Sequence, residues 1–119
     1  MTTATITLPF PLSVNNLYAG RRRRYPTKRY AAWRREAELM IMAAKPPRIR
    51  GPVAVAMTLH PFNRRKRDAD NAWKCVLDAC VRMNVIEADD QTIVRKASVE
   101  WGEMRPRGEA VVTITALER

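Results

Sequence analysis

Two aspartates, Asp68 and Asp70, stand in the sequence context that most suggests chemistry. They directly follow the basic run Arg64–Arg67, where carboxylates would weaken a surface that only binds phosphates. Either the neighbouring cations neutralise them in a salt-bridge cluster, or a divalent metal does. Hard oxygen ligands suit Mg²⁺, with Mn²⁺ as a second possibility, and such a metal can activate water toward a phosphodiester. The simplest structural alternative is Asp70 as a helix N-cap with Asp68 beside it.

Further charged residues could complete such a site. Asp70, Lys74 and Asp78 recur every four residues, so on a helix they form one stripe and Lys74 can point toward whatever Asp70 binds. The alternative is an ordinary ion pair on a helix surface. Asp89 and Asp90 offer another carboxylate at the start of a predicted strand, although acidic residues are also common in turns.

The positive charge is concentrated in one part of the chain. There are 22 basic residues against 12 acidic ones, a net charge of +10, and 15 of the basic residues lie within 21–67 with only two acids. This distribution predicts binding of a polyanion, with affinity that falls steeply as salt rises and with little base preference. The alternative for a basic run is a solvated, mobile loop. The predicted DNA contacts here are Arg21, Arg22, Arg23, Arg24, Lys28, Arg29, Arg64, Arg65, Lys66 and Arg67.

The elements that must position these residues follow from hydrophobic periodicity and breakers. Alternation predicts strands, and spacing of three and four predicts two amphipathic helices, the second capped by Asp70 or Asn71. The predicted order is a strand at 3–8, a long surface loop at 11–24, a helix from Thr27 to just before Pro46, a strand at 53–60, a helix ending near Asn84, a strand at 93–101 and a strand at 110–117. The fold class is therefore α+β, in the order β-α-β-α-β-β, with two helices packed on a mixed sheet of about four strands.

Length and composition set the remaining expectations. The 119 residues fit one domain spanning 1–119, and 46% hydrophobic residues argue against a disordered basic tail. Cys75 and Cys80 have neither disulfide nor metal-clip spacing, so they are expected to be reduced. No export signal or membrane span is evident, which favours a cytoplasmic protein.

A few single residues carry weaker expectations. His60 is predicted to lie on the solvent face at a strand end. Trp33, Trp73 and Trp101 stand at apolar positions of their elements and are expected to be core or dimer anchors rather than base-stacking residues. A buried indole should find a partner for its N–H group.

Taken together, these motifs resemble the RusA family of Holliday junction resolvases. The resemblance is carried by Leu-Pro-Phe-Pro-Leu-Ser-Val-Asn-Asn near the start, Arg-Arg-Lys-Arg-Asp-Ala-Asp-Asn-Ala-Trp-Lys, Leu-Asp-Ala, and Ile-Glu-Ala-Asp-Asp-Gln-Thr-Ile-Val. It implies a homodimeric, Mg²⁺-dependent endodeoxyribonuclease, usually of phage or prophage origin, that nicks four-way junctions symmetrically. The alternatives are a non-catalytic nucleic-acid-binding module and a metal nuclease for other branched DNA.

The resemblance also implies roles for individual residues. Asp68, Asp70 and Asp90 match the metal-site aspartates, and Lys74 matches a lysine thought to assist catalysis. Asn71 and Asp89 would lie in or next to the metal site, and the spacing after the second helix leaves open whether Asp89 or Asp90 is the third ligand. The remaining residues match a loop near the active site and are counted with Asn71 among the DNA contacts: Ser13, Asn15 and Asn16.

Overall fold

The computed structural model describes residues 2–67 and 72–117. Asp68, Asp70 and Asn71 lie outside the described residues. The elements are β1 (Thr3–Pro9), a 3₁₀ turn (Val14–Asn16), β2 (Tyr18–Ala19), β3 (Tyr25–Pro26), α1 (Lys28–Ala44), β4 (Val53–His60), α2 (Trp73–Arg82), β5 (Val94–Trp101) and β6 (Glu109–Ala116). The predicted α+β class and the order of the main elements are confirmed.

One mixed sheet, in the order β1-β6-β4-β5, forms the core of the fold. β4 and β5 are parallel and are joined by α2, whereas β6 is antiparallel to both β1 and β4. The register aligns apolar residues in rows, so that Val112 lies between Ile6 and Met57. All three are buried, because the alternation of each strand turns its apolar residues toward the same face.

Both helices bury one side against this apolar face. α1 buries Tyr30, Trp33, Ala37 and Ile41, which matches most of the predicted periodic positions. α2 buries Cys75, Val76, Ala79 and Cys80. The N-cap position of α2 is Ala72, whose side chain makes no capping hydrogen bond, while the predicted caps Asp70 and Asn71 are outside the described residues.

The segment between β1 and α1 is more ordered than the predicted surface loop at 11–24. Leu17 is fully buried, and β2 pairs with β3 in a small antiparallel hairpin. Gly20 opens the turn with a positive φ of 100°, and a Cβ there would lie 2.2 Å from the Arg23 carbonyl oxygen. The prediction failed because two-residue strands are too short to show any alternation.

His60 is buried, so its predicted place on the solvent face is wrong. Its Nδ1 lies 2.9 Å from the Glu103 carbonyl oxygen, and Gly102 leaves room for the ring. The cause is tertiary, because the chain leaving β5 crosses the end of β4, where Gly102 N–H donates to the Leu59 carbonyl.

The three tryptophans have different environments. Trp33 is a core residue as predicted, and its indole N–H donates to the carbonyl oxygens of Pro9 and Phe10 at 3.2 and 3.0 Å. Trp73 is half-buried against the core. Trp101 is 44% exposed, so it is not a core residue, and its alternative prediction as a dimer anchor stays a prediction.

No helix in the described part of the chain is long and apolar enough to cross a membrane.

Thr27 joins the 3₁₀ turn to α1. Its hydroxyl accepts from Tyr30 N–H at 3.1 Å and donates to the Asn16 carbonyl at 2.7 Å. We expect Thr27→Ala to lower the free energy of unfolding by about 0.5–2 kcal/mol, as measured by urea denaturation, because it removes the helix cap. Thr27→Ser keeps the hydroxyl and should stay close to the wild type; equal losses in both variants would contradict this role.

Cys75 and Cys80 are buried free thiols. Burial raises the pKa of Cys75 from 9.0 to about 11 and that of Cys80 to about 12. We therefore expect iodoacetamide at pH 8 to modify both thiols far more slowly in the native protein than in urea. As the pH rises, the two thiols ionise in the unfolded chain before they ionise in the folded protein. Burial of the neutral thiols therefore contributes fully to the free energy of unfolding below pH 9, and this contribution declines as the pH rises toward 12. Rapid alkylation of the native protein by iodoacetamide would contradict the burial of the two thiols.

Candidate functional site

A cleft of about 870 Å³ opens at one edge of the sheet. β1, β4 and β5 all end at this edge, and β6 begins there, since Glu109 pairs with both Pro9 and His60. The loops that follow the three strands therefore lie side by side. Residues distant in the sequence, from Ser13 to Arg107, line a common surface.

The cleft is strongly basic. Ser13, Asn16, Arg29, Arg65, Lys66 and Arg67, all predicted as DNA contacts, line it together. Glu36 is the one acidic residue among its described lining residues. These four cations and Arg107 face one carboxylate and give a concave positive surface, as expected for binding a phosphate backbone.

Arg107 is a cleft residue that the sequence analysis missed. It belongs to the turn before β6, which has no sequence signal beyond Pro and Gly. Arg105 in the same turn pairs instead with Glu103 and Glu109. Only the sheet register, which sets the start of β6 beside the ends of β1 and β4, brings Arg107 to the cleft.

The loop that holds Ser13 and Asn16 is fixed by its own hydrogen bonds. The Ser13 hydroxyl accepts from Asn15 N–H at 3.3 Å, and the Ser13 carbonyl accepts from Asn16 N–H at 2.9 Å. Asn15 itself is exposed. Thr27 ties the loop to α1, so its polar side chains are held at the cleft rim.

The amino end of α1 adds to the positive potential. Lys28 and Arg29 occupy its first turn, which has no acidic residue. Cations there oppose the helix dipole and weaken the helix slightly, whereas an approaching phosphate would be stabilised. Arg21, Arg22, Arg23 and Arg24 are all exposed on the neighbouring hairpin turn, and Arg64 is exposed beyond the described cleft lining.

Arg67 is held rigidly at the cleft wall. Its guanidinium lies 5.3 Å from the ring centre of Phe10 and 4.4 Å from that of Phe62. It also donates to the Asn63 side chain at 2.7 Å and to the Arg65 carbonyl at 2.9 Å. These contacts fix the Arg67 guanidinium against the aromatic rings of the cleft.

Lys74 projects from the first turn of α2 and interacts with two acidic residues. Its ammonium group lies 3.2 Å from an Asp78 carboxylate oxygen. The hydrogen bond and charge of Asp78 raise the pKa of Lys74, and the charge of Asp89 raises it further. The measured contact of Lys74 is thus with Asp78, one helical turn further along α2.

Asp90 has a different environment from Asp89. One of its carboxylate oxygens accepts from Thr92 N–H at 2.8 Å and also from the Thr92 hydroxyl. These hydrogen bonds hold the pKa of the Asp90 carboxyl below its usual range. The exposed carboxylate is thus ionised and fixed in orientation at the entrance to β5.

The described residues hold only part of the predicted metal site. Within 2–67 and 72–117, no three His, Cys, Asp or Glu side chains form a group that could hold a metal ion. The predicted ligands Asp68 and Asp70 lie outside these ranges, as does Asn71. Asp89 and Asp90 supply carboxylate oxygens, the donor type that Mg²⁺ and Mn²⁺ accept.

A basic cleft on a small α+β sheet, in a chain that also carries a lysine paired with a carboxylate on α2, is typical of a class of protein that acts on nucleic-acid phosphodiesters. The family model described as Endodeoxyribonuclease RusA matches residues 9–115. The chain therefore belongs to the RusA endodeoxyribonuclease family, whose members are hydrolases that act on Holliday junctions. None of the curated proteins compared with the chain matches it.

Asp78 is expected to raise the pKa of Lys74. Replacing Asp78 with Asn removes the carboxylate at nearly constant shape, so the pKa of Lys74 should fall toward its ordinary value. A pH titration of the Lys74 ¹³Cε resonance measures this change. Glu100→Gln is the matched control, because Glu100 accepts from Thr58 on the opposite face of the sheet. An unchanged pKa in the Asp78 variant would contradict the ion pair.

Proposed function

We propose that the protein is a Mg²⁺-dependent endonuclease that resolves Holliday junctions by paired, symmetric nicks as a homodimer. The observation that carries the proposal is the basic cleft built by loops after β1 and β4, together with Lys74, which is paired with Asp78 on α2. Membership of the RusA family supports the reaction class, and the geometry supports the assignment of roles.

Asp68, Asp70 and Asp90 would hold the metal, with Asp89 beside them. All four are carboxylates, and Asp90 meets two requirements of a ligand because it is ionised and already oriented by Thr92. Bound Mg²⁺ would polarise the phosphodiester and lower the pKa of an attacking water. The bond broken would be the one to the 3′-oxygen, which leaves ligatable 5′-phosphate ends.

Lys74 would offset the negative charge that develops on the phosphate. Its ordinary pKa already keeps it protonated at neutral pH, and Asp78 raises that pKa further. The ion pair with Asp78 restrains the flexible Lys74 side chain. Less conformational entropy would therefore be lost when Lys74 takes its position beside the phosphate. Asp78 is thereby a positioning residue for Lys74.

The cleft and the Arg21–Arg24 turn between β2 and β3 would bind the arms of the junction. Their cations contact phosphates and therefore read the shape of branched DNA rather than its sequence. Arg29, Arg65 and Arg107 inside the cleft would fix the phosphate backbone, and Arg21–Arg24 would reach a neighbouring arm.

Two copies of the chain would supply the two active sites that symmetric nicking requires. Leu39 and Met42 on α1 are each 60% exposed and lie three residues apart, so they form an apolar surface on one side of the helix. We assign the contact between the two copies to this surface. A measured solution mass of twice 13.7 kDa would agree with a homodimer.

Asp70→Asn is expected to abolish nicking of a four-way junction in Mg²⁺ while junction binding is retained or tightened. The variant removes a charge from the metal site and leaves the basic cleft intact. A gel assay of nicking, run with and without EDTA, and a binding titration measure the two properties separately. Wild-type protein that binds junctions but never cleaves them with Mg²⁺ or Mn²⁺ would overturn the proposal.

Substrate choice and the third ligand are tested in the same assay. Cleavage of a four-way junction should exceed that of flaps, linear duplex or RNA. Asp90→Asn should lose nicking as fully as Asp70→Asn, whereas Asp89→Asn should lose less, because Asp89 acts on Lys74 rather than on the metal. The reverse order would make Asp89 the ligand.

A further inference from the structure

Aromatic side chains occupy the cleft together with its cations. Phe62 is 47% exposed and Trp101 is 44% exposed, and both line the cleft. Single exposed apolar residues are common on protein surfaces, but a contiguous group of exposed aromatic rings in a cleft is typical of a surface that binds a ligand with an apolar face. The proposed phosphate contacts leave these rings unused.

The rings form one continuous group around Phe10. The Trp101 ring lies nearly parallel to Phe10, with centres 6.5 Å apart and planes at 29°. Phe62 meets Phe10 edge to face at 5.6 Å. The Arg67 guanidinium lies over the rings of both Phe10 and Phe62. Trp101 and Phe62 nevertheless keep nearly half of their surface accessible.

The surrounding charge favours DNA over a second copy of the chain as the occupant. Arg65, Lys66 and Arg107 share the cleft with the aromatic rings. A two-fold contact through this face would bring the same cations of both copies together, which is repulsive. DNA instead offers phosphates for the cations and planar bases for the rings.

We infer that Trp101 and Phe62 stack on a nucleobase that has left its pair at the branch point of the junction. A base within a duplex has both faces covered by its neighbours, whereas a base at a branch point can present a free face. Aromatic rings accept any base, so this contact recognises branched structure rather than sequence. The inference rests on the proposed function and deepens it by adding residues that recognise the branch point.

The Trp101→Leu and Trp101→Phe variants separate aromatic stacking from apolar packing. Leu keeps an apolar side chain without a π-face, whereas Phe keeps the π-face. We expect Trp101→Leu to weaken junction binding in EDTA by about tenfold, within the range known for a base stacked on an aromatic residue, and Trp101→Phe to retain most of it. Binding of linear duplex should be unchanged in both variants. Equal effects of the two substitutions, or equal losses on duplex, would overturn the inference.

Photo-crosslinking locates the contact directly. Four-way junctions carrying 5-iododeoxyuridine at the branch point or within an arm are irradiated with the wild-type protein in EDTA. Crosslinks should form from the branch point only, and mass spectrometry should place them on the peptides that contain Trp101 or Phe62. Crosslinks that arise equally from the arm, or that lie elsewhere in the chain, would refute the stacking contact.

Two further readouts keep the inference separate from the proposed function. Nicking in Mg²⁺ tests the enzyme, so a protein that crosslinks at the branch point without cleaving would refute the proposed function alone. Light scattering of the Trp101→Leu variant tests the rival occupant. A halved solution mass would identify this face as the contact between copies and would overturn the inference.

Discussion

The structure depends on a sheet that buries only one face. β1, β4 and β6 each direct alternate residues toward two helices, and rows such as Ile6, Val112 and Met57 form the core. This constraint fixes the register, because a slip by one residue would move every apolar side chain of a strand to the solvent. The fixed register in turn sets the ends of three strands at one edge. The cleft is a consequence of how the core is packed.

At this edge, Arg67 and the loop that contains Ser13 and Asn16 are held by neutral groups. Arg67 is held by Asn63 and by the rings of Phe10 and Phe62, and Ser13 and Asn16 are held by hydroxyl and backbone hydrogen bonds. Such contacts orient side chains without cancelling their charge, so the positive potential remains available for phosphates. Lys74 is different, because Asp78 pairs with it directly. In the proposed reaction Lys74 would stabilise negative charge that develops on the phosphate. A fixed position of its ammonium group matters more for this than its contribution to the long-range positive potential.

Much of the fold and part of the site could be predicted from particular residues. Strict alternation in β1 and β4, and Thr27 followed by buried residues at helical spacing, gave elements whose bounds the structure confirms within a few residues. The basic runs and the loop containing Ser13 were predicted as DNA contacts, and the structure brings several of these residues to one cleft. The short hairpin could not be predicted, because its two-residue strands show no alternation. The burial of His60 depends on Glu103, which is distant in the sequence, and the exposure of Trp101 depends on the place of β5 at the edge of the sheet.

Residue types and their spacing were enough to predict the composition of the candidate site: carboxylates after a basic run, a lysine four residues beyond Asp70, and an excess of cations in 21–67. Local chemistry is enough for this, because residue type and spacing set charge, donor type and helical stripe. Only the tertiary structure decided which cations share a surface, and it added Arg107 and the rings of Phe62 and Trp101. The physical reason is that strand order and register, which arise from burial of the whole sheet face, bring distant loops to one edge.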